Sequence, residues 1–176
     1  MKPTAAFWDK IAVKYAKRPI QNVEAYEAAL ARTRSRLSDR DTVLEVGAGT
    51  GGTARLLAPL VHKITCTALS PAMTKISRER ATAEGIANIT CLPADRSYDV
   101  TLAHNLLHLV EDLDWTLGGV KQTLRPGGLF ISKTPCLGSA GFGLRIGLKV
   151  ALPVMQMLGK APYVNAFTTQ TLESRI

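Results

Sequence analysis

Three glycines at alternate positions could bind a ligand through the main chain. Gly47, Gly49 and Gly51 follow the β-prone segment 42–46 and precede a segment of helical type. Glycine allows a sharp turn and a close approach to a ligand, and a helix N-terminus offers unpaired N–H groups. The pattern alone is weak, because Gly47, Gly49 and Gly52 also satisfy the dinucleotide spacing Gly-x-Gly-x-x-Gly. The glycines predict a cofactor loop and leave a nicotinamide cofactor as one alternative.

Glu45 stands two residues before the first of these glycines, on the predicted strand. A carboxylate at this position can accept hydrogen bonds from a cationic amino-acid group, whereas it would repel the pyrophosphate of a dinucleotide. The position of Glu45 therefore favours a cationic cofactor.

Two histidines, His104 and His108, are the residues suited to proton transfer, because imidazole titrates near neutral pH. They follow the fourth predicted strand, and Asn105 lies between them. Each imidazole also fits a structural role as a hydrogen-bonded side chain at a strand end or helix start, and Asn105 fits a turn or a helix cap. We name both histidines as candidate general bases.

The elements that would position these residues alternate along the chain between β-prone segments and segments with helical spacing. The predicted strands are 42–46, 63–69, 88–92, 98–103 and 129–133, and the predicted helices are 3–17, 22–37, 53–60, 71–84 and 112–124. This alternation predicts an α/β fold with a doubly wound, Rossmann-like parallel sheet. In such a sheet the ligand lies beyond the carboxyl ends of the strands, where the strand order reverses.

Three further segments occur in order along the chain: Val43-Leu-Glu-Val-Gly-Ala-Gly-Thr-Gly51, Leu69-Ser-Pro-Ala-Met73 and Leu124-Arg-Pro-Gly-Gly-Leu129. The first resembles the first motif of class I S-adenosylmethionine-dependent methyltransferases, the second resembles the segment after the second strand of that family, and the third resembles the turn before its fifth strand. Residues 98–108 are similar to its fourth strand and the loop that follows, and residues 7–15 to N-terminal helices of bacterial small-molecule members. The match covers residues 40–135 and implies methyl transfer from S-adenosylmethionine to a small molecule.

The resemblance also implies roles for individual residues. The glycine loop and Glu45 would border the methionine part of the cofactor, Leu69 and Met73 would pack against adenine, and Trp8 and Tyr15 would close over the site. The implied cofactor contacts are Tyr15, Glu45, Gly47, Ala48, Gly49, Gly51, Ala68, Leu69, Met73, Asp95, His104, Asn105 and Leu106.

The chain departs from the family pattern at two positions on the adenosine side. Ala68 stands where family members usually carry an acidic residue that holds both ribose hydroxyls, and the short segment around Asp95 puts an adenine contact there in doubt. Losing such an acceptor costs about a few kcal/mol of cofactor affinity. The departure leaves a non-catalytic cofactor-binding scaffold as the rival interpretation, and it also counts against an NAD(P)-dependent oxidoreductase.

The order of segments predicts one domain over residues 1–176. It comprises an N-terminal helical cap at 1–40, a cofactor-binding core at 41–135 and a helical lid or substrate region at 136–176. The lid would close over a hydrophobic or lipid-like acceptor, and a helix pair that only covers the sheet is the equal alternative. We expect the last strands of the family's sheet to be missing, and we expect no metal site.

The charge is unevenly distributed along the chain, with basic flanks, an acidic middle and a formal net charge of +8. A solvated surface explains this balance, and an anionic substrate or lipid headgroup is the minority alternative. The basic residues are not interleaved with aromatic residues, so we expect no nucleic-acid partner. The N-terminal residues do not resemble a signal peptide, which predicts a cytoplasmic location, and the basic, apolar C-terminal region allows contact with a membrane surface. The sequence does not indicate an oligomeric state.

Overall fold

The computed structural model describes residues 5–91, 97–139 and 151–176, in which strands alternate with helices. The strands are β1 (Thr42–Val46), β2 (Lys63–Thr67), β3 (Ile89–Cys91), β4 (Tyr98–His104) and β5 (Leu124–Lys133). The helices are α1 (Ala5–Ala16), α2 (Val23–Arg34), α3 (Gly52–Leu57), α4 (Pro71–Ala83), α5 (Leu113–Thr123), α6 at residues 151–157 and α7 (Thr169–Glu173). Single 3₁₀ turns lie at Ala58–Leu60, Leu107–Leu109 and Leu137–Ser139.

The five strands form one sheet in the order β3-β2-β1-β4-β5, and every neighbouring pair is parallel. The chain order reverses between β1 and β4, so the loops that leave these two strands lie side by side at the carboxyl edge. The predicted doubly wound parallel sheet is confirmed. Its switch point lies where the glycine loop and the segment His104–Leu106 meet.

The core is centred on β1 and β4, which lie inside the sheet. Val43, Leu44 and Leu102 are completely buried, as are Ala54 and Leu57 of α3. Strands that are covered on both faces need apolar side chains on both, and this explains the nearly continuous apolar runs in β1 and β4. A second apolar cluster joins the end of β4 to α5 and α7 through Ala103, Leu107, Leu113 and Leu172.

Side-chain caps set several helix starts. Asn22, Ser70, Asp112 and Thr168 each accept a hydrogen bond from a backbone N–H of the turn that follows, and Pro71 occupies the favourable first turn of α4. The predicted helix 22–37 is therefore too long at both ends, because Asn22 is a cap and α2 ends at Arg34. The predicted helix 53–60 was wrong at its C-terminal end, because α3 ends at Leu57 and the last three residues form a 3₁₀ turn.

The predicted start of the last strand, Leu129, was also wrong. β5 begins at Leu124, which pairs with Tyr98, and the next regular pair joins Leu129 to Val100. The residues between them bulge outward as the Arg-Pro-Gly-Gly turn, with Gly127 at a φ of +77°. Pairing on both sides of the bulge makes the turn part of the strand.

The C-terminal region contacts the end of β4 in the residues that the structure describes. Asn165 donates a backbone hydrogen bond to the carbonyl of His108 at 2.6 Å, and its side-chain amide donates to Val110 O at 2.8 Å. Gly138 N donates to Phe167 O at 2.8 Å. Residues 140–150 of the predicted lid lie outside the described residues. No helix among residues 5–91, 97–139 and 151–176 is long and apolar enough to cross a membrane.

Candidate active site

The loop after β1 depends on glycine at its first and last positions. Gly47 and Gly51 adopt φ values of +70° and +73°, in the left-handed region that favours glycine. A Cβ on Gly47 would lie 2.6 Å from Leu106 Cδ1, and one on Gly51 would collide with the Ser77 hydroxyl. The loop is held against β2 because Ala48 N donates to Thr67 O at 2.8 Å. The clash at Gly47 shows that the loops after β1 and β4 pack directly on each other.

Gly49 lies where the N-terminal helix meets the loop. A Cβ at this position would be 3.8 Å from Met73 Sδ and 3.9 Å from Tyr15 Cε1. Met73 is buried, whereas Tyr15 is 42% exposed and packs edge-on against Trp8 at a ring-centroid distance of 6.2 Å. The structure thus brings together four residues that the sequence assigned to the cofactor site from three separate segments.

Glu45 is 2% exposed, and its Oε2 has no hydrogen-bond partner among the described residues. Burial raises its pKa to about 8, although a hydrogen bond from the backbone of Ala54 partly opposes the shift. The carboxyl group is therefore mainly protonated at pH 7, and a nearby cation would favour its ionised form. An unpartnered carboxyl oxygen next to a cradle that a Cβ would fill fits a cofactor with an ammonium group.

A shallow cleft lies at the end of β2, beside the glycine loop. Its lining includes Ala48, Gly49 and Ala68, which the sequence assigned to the cofactor, and Ser77 of α4. Ala68 offers no side-chain acceptor there, so the acid expected at this position is absent. Leu69 does not line this cleft and is 62% exposed, and Asp95 lies outside the described residues.

The three cysteines are free thiols, and two of them line this same cleft. Cys66 and Cys91 are directly paired residues of β2 and β3. The neighbouring thiol of Cys66, with contributions from Ser77 and Arg78, lowers the pKa of Cys91. No group of three or more potential metal ligands occurs in the part of the chain that the structure describes.

A second cleft lies at the carboxyl ends of β4 and β5. Its lining includes His104, Asn105, Lys133 and Tyr26. Lys133 Nζ is 5.5 Å from the centroid of the Tyr26 ring, within the range of a cation–π contact. Asn105 has a φ of 54° and donates its N–H to Lys133 O at 2.7 Å. A strained backbone at the switch point is typical of functional loops.

The tautomer of His104 follows from its neighbour on α2. Thr33 Oγ1 donates its single proton to Ala29 O at 2.9 Å, so it can only accept from His104 Nε2, which is 3.3 Å away. This assigns the ring proton to Nε2 and leaves the Nδ1 lone pair free. Burial and the positive charge of Lys133 lower the pKa of His104, so the ring is neutral at pH 7.

His108 occupies a different environment. It lies in the 3₁₀ turn after β4, and its Nδ1 is buried without a hydrogen-bond partner among the described residues. Burial lowers the pKa of this imidazole as well. His108 does not appear in the lining of the β4–β5 cleft, which contains His104. The two histidines that the sequence treated alike are therefore distinguished by the structure.

Four residues near the clefts were missed by the sequence analysis: Asp9, Tyr26, Thr33 and Lys133. Lys133 carried a usable signal, because it is the last residue of a predicted strand and such ends meet at the ligand edge. The two α2 residues carried none, since their place depends on how that helix packs. Asp99, in contrast, accepts hydrogen bonds from Thr42 at the opposite end of the sheet, and this geometry indicates a structural role.

The parallel sheet, its switch point and the glycine-lined loop define an α/β protein with a nucleotide-type cofactor site. Residues 44–132, about half of the chain, match the family model of a methyltransferase domain. The chain therefore belongs to the methyltransferase domain family, and its resemblance to class I S-adenosylmethionine-dependent enzymes is confirmed. Family membership decides against the nicotinamide alternative.

Relatives and solved structures agree with this assignment. A highly reducing polyketide synthase, PKS6, from Gibberella zeae is 33% identical in an alignment of 149 positions that covers 74% of this chain and 6% of the synthase. An S-adenosylmethionine-dependent methyltransferase from Thermotoga maritima has a TM-score of 0.69 at 22% identity, covering 97% of this chain and 77% of that one. The complex of DhpI with S-adenosylhomocysteine has a TM-score of 0.63 at 26% identity, covering 76% and 69%.

The curated relatives are much longer than this chain. The match spans only 6%, 4% and 3% of the length of three of these relatives. They are two polyketide synthases and one hybrid of a polyketide synthase with a peptide synthetase.

Proposed function

We propose that this chain transfers the methyl group of S-adenosylmethionine to a small, largely apolar acceptor at the carboxyl edge of β1, β2 and β4. The proposal is carried by the Oε2 of Glu45, which is buried beside a glycine cradle and has no hydrogen-bond partner among the described residues. A buried carboxyl oxygen without a partner costs free energy, which a ligand ammonium group would recover. The proposal treats residues 1–40 as a cap, 41–135 as the cofactor core and 136–176 as the substrate region.

Each part of the cofactor has residues suited to hold it. Glu45 and the glycine loop would hold the methionine part, while Met73 and the cleft at Ala68 would receive the adenosine part. Tyr15 would cover the loop from α1. When bound, the cofactor supplies a methyl group on a sulfonium, which is already activated for transfer. The protein's main contribution is therefore to exclude water and to hold the acceptor in line with that methyl group.

His104 is the residue we assign to proton removal from the acceptor. Its free Nδ1 and depressed pKa make it a neutral base at pH 7, and it lines the cleft beside Lys133. Lys133 would stabilise the negative charge that develops on an acceptor oxygen as the proton leaves. His108 remains the second candidate base, although its ring nitrogen faces a buried environment apart from this cleft.

The acceptor class that fits best is a polyketide-like compound. Its support is the similarity to polyketide synthases, whose products offer acidic carbon or hydroxyl groups that need a base before methylation. The C-terminal region supplies exposed apolar side chains, including Met155 and Leu158, for a hydrophobic acceptor. A cytoplasmic location and a membrane-surface contact of this basic region are further parts of the proposal.

The competing function is a cofactor-binding scaffold without catalysis, which Ala68 favours because it removes an expected cofactor contact. The two are separated by incubating the chain with S-adenosylmethionine and small β-keto thioesters, then searching for methylated product by mass spectrometry. The proposal expects product that is lost in His104→Gln and retained in His108→Gln. Cofactor binding without any product from β-keto or phenolic acceptors would favour the scaffold.

A further inference from the structure

The side chain of Asp9 reaches the part of the cofactor site where Ala68 lacks a carboxylate. Asp9 Oδ1 accepts a hydrogen bond from Ser70 Oγ at 2.5 Å and a second from Ala72 N at 3.0 Å. Ser70 is two residues beyond Ala68, so their Cα atoms are at most about 7 Å apart. A carboxylate from α1 therefore lies close to the end of β2, where one from β2 itself is missing.

The position of Asp9 is fixed by the packing of α1 on α4. Asp9 contacts the first turn of α4, and the carbonyl of Ala16, one residue after Tyr15, accepts a bond from Arg80 Nη2 at 2.6 Å. Between these two contacts Tyr15 reaches the glycine loop at Gly49. The helix that carries Asp9 thus already borders the proposed cofactor site.

The carboxylate of Asp9 has capacity for a further ligand. Both of its hydrogen bonds from the described residues fall on Oδ1, which leaves Oδ2 available as an acceptor. The bond from Ser70, followed by that from Ala72, lowers the pKa of Asp9, so the group is ionised at neutral pH. Helix capping alone does not require it, because Ser70 Oγ already caps α4 by accepting from Met73 N at 3.1 Å.

We propose that Asp9 supplies the ribose-hydroxyl acceptor that Ala68 does not, so that the N-terminal helix completes the cofactor site. This inference rests on the proposed function, because it assumes that S-adenosylmethionine occupies the β1–β2 edge. A purely structural Asp9 would only tie α1 to α4.

The test compares the affinities of S-adenosylhomocysteine and its analogue without ribose hydroxyls, measured by calorimetry on the full chain. Asp9→Asn is the informative variant, because asparagine keeps an Oδ1 acceptor for Ser70 and Ala72 but loses the charge and the second acceptor oxygen. Arg80→Ala is the matched control, since it removes the other hydrogen bond between α1 and α4, which Arg80 donates to the carbonyl of Ala16. Thermal melting shows that each variant is folded.

In the wild-type chain S-adenosylhomocysteine should bind about tenfold to a hundredfold more tightly than the analogue. This is the affinity that hydrogen bonds to a charged group typically contribute. Asp9→Asn should reduce this ratio to near one, and Arg80→Ala should leave it unchanged. Adding Ala68→Asp to Asp9→Asn should restore it, because the acid returns to the strand end.

Two results would overturn the inference in distinguishable ways. If S-adenosylhomocysteine binds and Asp9→Asn weakens both ligands equally or not at all, Asp9 is a structural tether and the proposed function stands. If the wild-type chain binds neither ligand, the proposed function fails and the inference fails with it.

Discussion

Glu45 is the residue whose protonation state depends most on whether the site is occupied by a cofactor. Its pKa is about 8 in the folded chain against an ordinary value of 4.5, so the folded state binds more protons between these values. The free energy of unfolding should therefore fall as pH rises from about 4.5 to 8, by roughly 1.4 kcal/mol for each pKa unit of difference at most. Glu45→Gln should remove this fall, which denaturant unfolding at several pH values measures.

The same residue predicts proton release when the cofactor binds. A ligand ammonium group would favour the ionised carboxylate, so the proton on Glu45 should leave at pH 7. Calorimetry in buffers of different ionisation enthalpy should show release in the wild-type chain and none from this position in Glu45→Gln. Equal proton exchange in both chains would show that Glu45 does not meet the ligand cation.

His104 and His108 differ in environment, and their variants should differ in activity. His104→Gln should lower kcat by about 10²- to 10⁴-fold, the usual range for loss of a general base, whereas His108→Gln should keep most of it. Because the pKa of His104 is lowered from 6.5, the wild-type rate should rise with pH and reach its plateau below neutrality. A pH–rate profile on an acceptor that requires deprotonation checks this, and an unchanged profile in His104→Gln would exclude the assigned role.

Among the elements, the loop after β1 has the backbone that is most restricted in the residues it can accept. Gly47→Ala combines a positive φ with a collision against Leu106, so it should destabilise the fold by about 1–2 kcal/mol and weaken cofactor binding. Gly52→Ala is the matched control, because no atom beyond its chain neighbours and the backbone of its own helix lies within 4 Å of a Cβ there, and its φ is not positive. Unfolding and cofactor titration of both variants measure the contrast, and equal effects would refute the account of the loop.

The elements also show where sequence patterns are sufficient. The segments 42–46 and 63–69 predicted β1 and β2 because short β-prone runs bounded by turn residues are typical of buried strands. The ends of α2 and β5 were mistaken because a cap and a bulge depend on individual hydrogen bonds and on pairing across the sheet. Leu124 became part of a strand only because Tyr98 is there to pair with it.

Across the whole molecule, the sequence predicted the architecture, and it named candidates for one half of the proposed site. The glycine loop, Glu45 and Met73 could be assigned because they belong to one contiguous stretch of motifs. The other half depends on contacts between distant segments: Asp9 meets Ser70 across 61 positions and Thr33 meets His104 across 71. Such pairs leave no periodic signal in a single chain, so the contributions of α1 and α2 emerged only from the packed structure.

Calorimetric titration of the purified chain is the direct test for an S-adenosylmethionine site at the switch point of the sheet. S-adenosylmethionine, S-adenosylhomocysteine and NAD would be titrated separately, at concentrations that detect weak binding. We expect micromolar binding of the first two ligands at one site per chain, and no response to NAD. The affinity for both sulfur ligands should be lower in Gly47→Ala. Silence for both sulfur ligands, or a response to NAD alone, would contradict the proposed site.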